Sequence, residues 1–234
     1  MQLFYNPKLV NSDKVFTFDK NESHHLIKVL RMRKGKKIFV TNGLGSLFES
    51  EIFSENPNGC EVKIISSSYR KPKKYNIHLA VSLIKSNDRF EWFLEKATEI
   101  GVDFITPLIC RHSLKKEIKQ DRLKKLIVSA SKQSHRVHFP IINKPVSFNE
   151  FVNKKAVENK FIASCLVDKN KSLKKFIVPE KDTTIMIGPE GDFASDEIQT
   201  ATDCGYKLVS LGNNRLRTET AAVIACHTIK LLND

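Results

Sequence analysis

The stretch "IMIGPEGDF", residues 185–193, decides the reading of this chain: an apolar run stops abruptly at Gly188-Pro189-Glu190-Gly191. "LGNNRLRTETAA" (211–222) repeats the pattern of strand, glycine, then charge. Working outward, "TTIMIG" (183–188) and "KLVSLG" (207–212) read as buried strands. Each precedes a helix, one opening at Ser195 with Asp196 and Glu197 and reaching Cys204, the other "TETAAVIACHTIKLL" (218–232). Two glycine-ended strands close together near the C-terminus are more than ordinary folding asks for.

Further upstream the same alternation holds from Asn76 onward. "IHLAVSLI" (77–84), "FITPLIC" (104–110) and "KFIASCLV" (160–167) read as strands. "DRFEWFLEKATEIG" (88–101), "QDRLKKLIVSASKQS" (120–134) and "FNEFVNKKAVEN" (148–159) read as helices. In the first of these Phe90, Phe93, Leu94, Ala97 and Ile100 share a face, Gly101 stops the helix, and Trp92 is expected in the core. Such alternation predicts an α/β fold with a mostly parallel sheet covered on both faces.

The first seventy residues differ. "KVFTF" (14–18), "KKIFVTNG" (36–43), "LFESEIF" (47–53) and "CEVKIISSSY" (60–69) read as strands separated by turn clusters. One helix at "ESHHLIKVLRM" (22–32) interrupts them, capped by Ser23 or Asn21, with Leu26, Val29 and Leu30 inward. A small β barrel or sandwich over 1–72 follows, with "YRKPKKY" (69–75) as linker to a second domain over 73–234.

At 234 residues, 41% hydrophobic and 28% charged, the chain is in the globular range. No apolar run approaches a membrane span and no secretory leader is evident, so a cytoplasmic protein without a membrane partner is expected. Five widely spaced cysteines form no C-x-x-C pair and read as small buried hydrophobes. Seven histidines form no metal constellation, so no metal is expected.

The net charge is +13, from 39 Lys plus Arg against 26 Asp plus Glu. That sign favours a polyanionic partner, since each neutralised phosphate releases a counterion. Residues 111–145 sharpen the point, with ten Lys/Arg and only Glu117 and Asp121 as acids, as a nucleic-acid footprint would have. Lys132, Gln133, Ser134 and Arg136 end a basic helix, where donors reach phosphate or a flipped base; capping plus solvation is the bland alternative. Lys28, Arg31 and Arg33 form a second basic rim, beside Leu30 and Met32.

Ligands of open α/β sheets bind outside the carboxyl ends of the strands. Gly188 and Gly212 stand at two such ends, where glycine permits close approach or positive φ. No G-x-G-x-x-G or G-x-x-x-x-G-K-[ST] is present, and Glu190 and Asp192 stand where a phosphate loop wants donors. A cationic or neutral ligand carrying a purine suits these loops better, and S-adenosylmethionine is such a ligand.

"IGPEGDFASDEI" and "LVSLGNNRLRTETAAVIA" resemble the C-terminal motifs of the uridine-N3 methyltransferases of small-subunit (16S) ribosomal RNA, members of the SPOUT superfamily. "HHLIKVLRMRKG" (24–35), "KATEIGVDFITPL" (96–108) and "SASKQSHRVHFP" (129–140) extend the resemblance over most of the chain. The resemblance implies a C-terminal SPOUT-type domain with a trefoil knot, its knot and cofactor site within about 160–234, and a small N-terminal PUA-like β-barrel domain. It further implies a homodimer acting on 16S ribosomal RNA. S-adenosylmethionine would be held by three loops: the strand end near Leu166; Ile187, Gly188, Pro189, Glu190 and Gly191; and Leu211, Gly212, Asn213 and Leu216, with Thr218 and Thr220 beyond. Two departures stand out. The family commonly has a second glycine at Asp192, and its usual arginine falls one place earlier, at Asn214, rather than at Arg215.

Uridine N3 carries a proton and is a poor nucleophile until that proton leaves. A cation near the uracil oxygens would stabilise the anion, and Arg217 is the candidate. Glu219 would anchor Arg217 or accept protons through water; alternatively it favours the helix dipole while Thr218 caps the helix. A knotted methyltransferase acting on a ribose 2'-hydroxyl or on transfer RNA remains an alternative, as does a non-catalytic RNA-binding module.

Overall fold

The computed structural model describes residues 2–153, 158–168 and 170–234. The chain divides into two compact units, Met1–Pro72 with Ser131–Phe139, and Lys73–Ala130 with Pro140–Asp234.

In the first unit, β1 (Leu3–Tyr5), β2 (Val15–Thr17), β3 (Lys37–Thr41), β4 (Ser46–Ser54) and β5 (Glu61–Tyr69) form one sheet in the order β1-β3-β4-β5-β2. The β1–β3 pair is parallel and the others are antiparallel. Four strands lie where the alternation placed them. The three-residue β1 is too short for a periodic signal. The core holds Phe4, Phe18, Leu26, Ile27, Ile38, Val40, Phe48, Ile52 and Val62.

The helix expected over 22–32 is instead α1 (Lys20–His24) running into a π-helical turn, His25–Val29. Asp19 caps it, accepting from Glu22 N at 2.9 Å, upstream of the expected Ser23 or Asn21. The wider turn closes with Leu30 N donating to His25 O. It changes the periodicity, so Leu26 and Ile27 are buried while Val29 points outward.

Dividing the sequence at 72/73 places Ser131–Phe139 with the following domain, whereas that segment packs in the first unit. Backbone bonds explain why: Gly45 N donates to Val137 O at 2.8 Å, and Phe139 N donates to Gly43 O at 2.9 Å. Phe139 also lies against Tyr5, with ring centroids 4.8 Å apart.

In the second unit, β6 (Ile77–Ser82), β7 (Phe104–Ile109), β8 (Ile141–Ile142), β10 (Asn159–Ala163), β11 (Thr183–Ile187) and β12 (Lys207–Val209) form a parallel sheet in the order β12-β10-β11-β6-β7-β8. β9 (Val146–Ser147) also pairs with β7. The two-residue strands β8 and β9 escaped the sequence pattern. The helices are α2 (Asn87–Ile100), α3 (Gln120–Gln133, which belongs to this unit up to Ala130), α4 (Phe148–Val152), α5 (Ser195–Asp203) and α6 (Thr218–Leu231). The helix expected over 148–159 ends at Val152, and its residues 154–157 lie outside those described.

Alternate strand residues feed opposite cores. Leu79, Val81, Phe161, Ile185 and Ile187 pack with Phe93, Leu94 and Ala97 of α2 and Ala222, Ala225 and Ile229 of α6. Ala80, Ile162 and Met186 pack on the other face with Phe148 and Phe151 of α4 and Ala201 of α5. The α2 face came out as expected, except that Trp92 is 46% exposed. It precedes Phe93 by one residue, about 100° around the helix, and falls outside the apolar stripe. Cys60, Cys110 and Cys226 are buried, but Cys165 is exposed and Cys204 half-buried, so not every cysteine is a core residue. Burial pushes the Cys110 thiol up to about 12 and the Cys60 thiol up to about 11.

Candidate functional site

The carboxyl ends of β10, β11 and β12 lie side by side in the sheet. The chain leaving them encloses a cavity of about 300 Å³. The β10 loop contributes Ala163, Ser164, Cys165 and Val167; the β11 loop contributes Ile187 through Glu190 and Asp192; and the β12 loop contributes Ser210 through Leu216. Thr218 and Ala221 of α6 complete the wall.

Gly188 and Gly212, alike in sequence, answer different needs. A Cβ on Gly188 would come within 3.0 Å of the Phe193 ring and 3.2 Å of the Phe193 nitrogen. A Cβ on Gly212 would meet nothing within 4 Å, but φ there is +138°, where side chains are strained.

Four hydrogen bonds tie the loops together. Thr218 Oγ1 donates to Gly188 O at 3.0 Å, and Arg215 Nη2 donates to Glu190 O at 3.1 Å, both joining the β11 and β12 loops. Asp192 joins the β10 and β11 loops: its Oδ2 accepts from Ser164 Oγ at 2.8 Å and from Cys165 N at 2.9 Å. Within the third loop Ser210 Oγ donates to Gly212 O at 3.0 Å. Glu197, buried at the start of α5, accepts from Ala194 N and from Arg111 N, fixing the loop after β7 to that helix.

Of the expected cofactor residues, Ile187, Gly188, Pro189, Glu190, Leu211, Gly212, Asn213, Leu216 and Thr218 line the cavity. Leu166, Gly191 and Thr220 stand outside the wall. Leu166 is 77% exposed, and its neighbours Ser164, Cys165 and Val167 face the cavity instead. Arg217, not Thr218, occupies the N-cap of α6 with extended backbone (φ −68°, ψ 154°), and the Thr218 hydroxyl donates to Gly188 O instead of capping the helix. Arg217 is exposed, whereas Glu219 is buried in the first turn. Glu219 Oε1 lies 3.7 Å from Nε of Arg89 in α2.

The residues expected to meet RNA all belong to the first unit, including Lys132, Gln133 and Arg136. Lys28, Arg31, Arg33 and Gln133 are exposed, and Arg31 adopts φ +52°. Arg33 pairs with Glu55 at 3.1 Å and Lys132 with Glu22 at 2.7 Å; Arg136 Nε donates to His138 O. Part of this basic set therefore holds its own unit together. In the block beyond it, Arg111 pairs with Asp196 and Arg122 with Glu91, so those charges also have structural work.

Asp192, Ser164, Arg215 and Arg89 were missed as structural links. Asp192 carried one signal: aspartate tolerates the left-handed backbone better than most residues, and φ here is +65°. Ser164 and Arg89 carried none, since their partners lie far away in sequence.

The chemistry of the cavity is testable against a ligand class. Its walls combine aliphatic side chains, backbone amides and carbonyls, and the carboxylates of Glu190 and Asp192; among the described residues Arg215 is its one basic side chain. Such a set fits a flat base with a cationic tail, as in S-adenosylmethionine, better than a polyphosphate. Among the described residues no group of three or more His, Cys, Asp or Glu is placed to hold a metal ion, and no helix is long and apolar enough to cross a membrane.

Comparisons with known proteins agree with this chemistry. Residues 71–230 match the RNA methyltransferase domain, and residues 18–65 match the RNA methyltransferase PUA domain. Ribosomal RNA small subunit methyltransferase E of Rickettsia conorii is 29% identical, over 99% of this chain and 95% of that protein. The crystal structure of a "probable rRNA-methyltransferase" from Porphyromonas gingivalis superposes with a TM-score of 0.89 at 34% identity, covering 99% of each chain. That of ribosomal RNA small subunit methyltransferase E from Neisseria gonorrhoeae, bound to S-adenosyl methionine, gives a TM-score of 0.89 at 28% identity, over 100% of this chain and 98% of that one.

Proposed function

Because the chain belongs to the RNA methyltransferase domain family, we propose that it methylates N3 of a uridine in small-subunit ribosomal RNA, using S-adenosylmethionine. The observation that carries this reading is the three-loop cavity at one sheet edge, apolar and carboxylate-bearing, in a chain whose relatives are small-subunit ribosomal RNA methyltransferases. When bound there, S-adenosylmethionine supplies a methyl group activated by its sulfonium.

This chain's residues supply position and charge. Backbone groups of Ile187–Glu190 and Leu211–Leu216 hold the adenine side, and Glu190 favours the cationic end. Arg217, exposed at the start of α6 one residue beyond the wall residue Leu216, offers its guanidinium to the uracil oxygens and stabilises the anion left when the N3 proton departs. Glu219, buried against Arg89, acts by holding α2 and α6 in place, so proton removal falls to water or another group. Lys28, Arg31 and Gln133 offer donors to RNA phosphate. A homodimer and the trefoil knot complete the reading.

Nucleoside mass spectrometry of ribosomal RNA from a deletion strain tests it. Loss of 3-methyluridine alone is expected; loss of a 2'-O-methyl nucleoside, or of nothing, would overturn it. Arg217→Ala is expected to lower turnover about 100-fold or more, in the range for removing one charge-stabilising donor, with S-adenosylmethionine affinity unchanged by calorimetry.

A further inference from the structure

Asp192 holds a position that neither steric fit nor the fold demands. Its backbone is left-handed, φ +65°, which glycine adopts at no cost. Its side chain nevertheless gathers three donors. Oδ2 accepts from Ser164 Oγ at 2.8 Å and Cys165 N at 2.9 Å, and Oδ1 accepts from its neighbour Phe193 N at 2.8 Å. The backbone is pinned as well: Asp192 N donates to Pro189 O at 2.9 Å, and His112 Nδ1 donates to Asp192 O at 3.0 Å. One residue therefore bridges two loops that meet nowhere in sequence, and it lines the cavity between them.

We propose that Asp192 is a positioning residue: its carboxylate latches the Ser164–Cys165 loop to the loop after β11 and so fixes one wall of the ligand cavity before ligand arrives. Two of the three bonds span 27 and 28 residues of sequence, so they constrain the β10 loop in a way no local turn can. Their acceptor is a carboxylate oxygen, a stronger acceptor than a neutral carbonyl or hydroxyl. The β10 loop leaves the sheet after Ala163 and is exposed at Cys165 and Leu166. With the latch gone, that loop is free to open and the cost of ordering it falls on ligand binding. The reading of the ligand as S-adenosylmethionine rests on the function proposed above; the latch itself does not.

The test uses the full-length protein with Asp192→Gly, which keeps the left-handed backbone, and Asp192→Asn, which keeps one acceptor oxygen. Hydrogen exchange without ligand is expected to be about tenfold faster at the Cys165 amide in the glycine variant, as for a charge-assisted bond lost, and to be partly restored by asparagine. Unchanged exchange overturns the latch. Calorimetry with S-adenosylmethionine is expected to show about tenfold weaker binding by the glycine variant, again with partial rescue by asparagine and with a cooperative melting transition retained. Faster exchange with undiminished affinity overturns the role in ligand positioning. If the parent protein itself fails to bind S-adenosylmethionine, the function proposed above fails, while the exchange result still decides the latch.

Discussion

Gly188 and Gly212 end neighbouring loops of one cavity, yet they are glycines for opposite reasons. Gly188 is crowded: Phe193 closes over it, and its buried carbonyl takes the Thr218 hydroxyl. Gly212 stands in open space and is required only by its backbone angle. The first loop starts in the core, and the second is an exposed edge of the ligand wall. A substitution should therefore register as lost stability in one and as altered binding in the other.

Substitutions at these two loops break or sharpen that contrast. Gly188→Ala is expected to cost roughly 2 kcal/mol of stability in denaturant titration, as for a methyl forced into a packed core. A cost indistinguishable from zero would mean that Phe193 yields freely. Thr218→Val leaves the Gly188 carbonyl buried without its donor and is expected to cost roughly 1.5 kcal/mol by the same titration. Gly212→Ala is expected to cost only about 1 kcal/mol, since an exposed loop relaxes part of the backbone strain. Calorimetry should show weaker S-adenosylmethionine binding all the same, and a stability loss equal to that of Gly188→Ala would erase the distinction. Arg215→Ala removes a single exposed bond to Glu190 O. It is expected to change stability by only about 0.5 kcal/mol in the same titration, with the larger effect on S-adenosylmethionine affinity by calorimetry.

Much of this layout was legible in the residues. Alternation of strands with helices from Asn76 onward pointed to the parallel sheet. The same alternation predicted a sheet covered on both faces, and the cores divide along that line, Leu79 and Val81 on one side and Ala80 on the other. The two glycine strings marked the strand ends that now frame the cavity. What stayed hidden depended on distance through space. The Asp192 bonds to Ser164 and Cys165, the Arg89–Glu219 pair and the return of Ser131–Phe139 to the first unit all join segments far apart in sequence. Local geometry hid the rest. The π-helical turn at His25–Val29 changes the period on which the inward placement of Val29 relied, and the Thr218 hydroxyl serves another loop instead of its own helix.

The return of Ser131–Phe139 also sets a timetable for synthesis. A nascent chain halted after Pro72 would carry all five strands of the first sheet, yet Gly43 O and Gly45 N would have only water as partners, and Glu22 would lack its lysine. Ribosomes add about 5–20 residues per second, so the first unit waits for seconds, with most of the second unit's early strands already emerging, before Phe139 arrives to finish it.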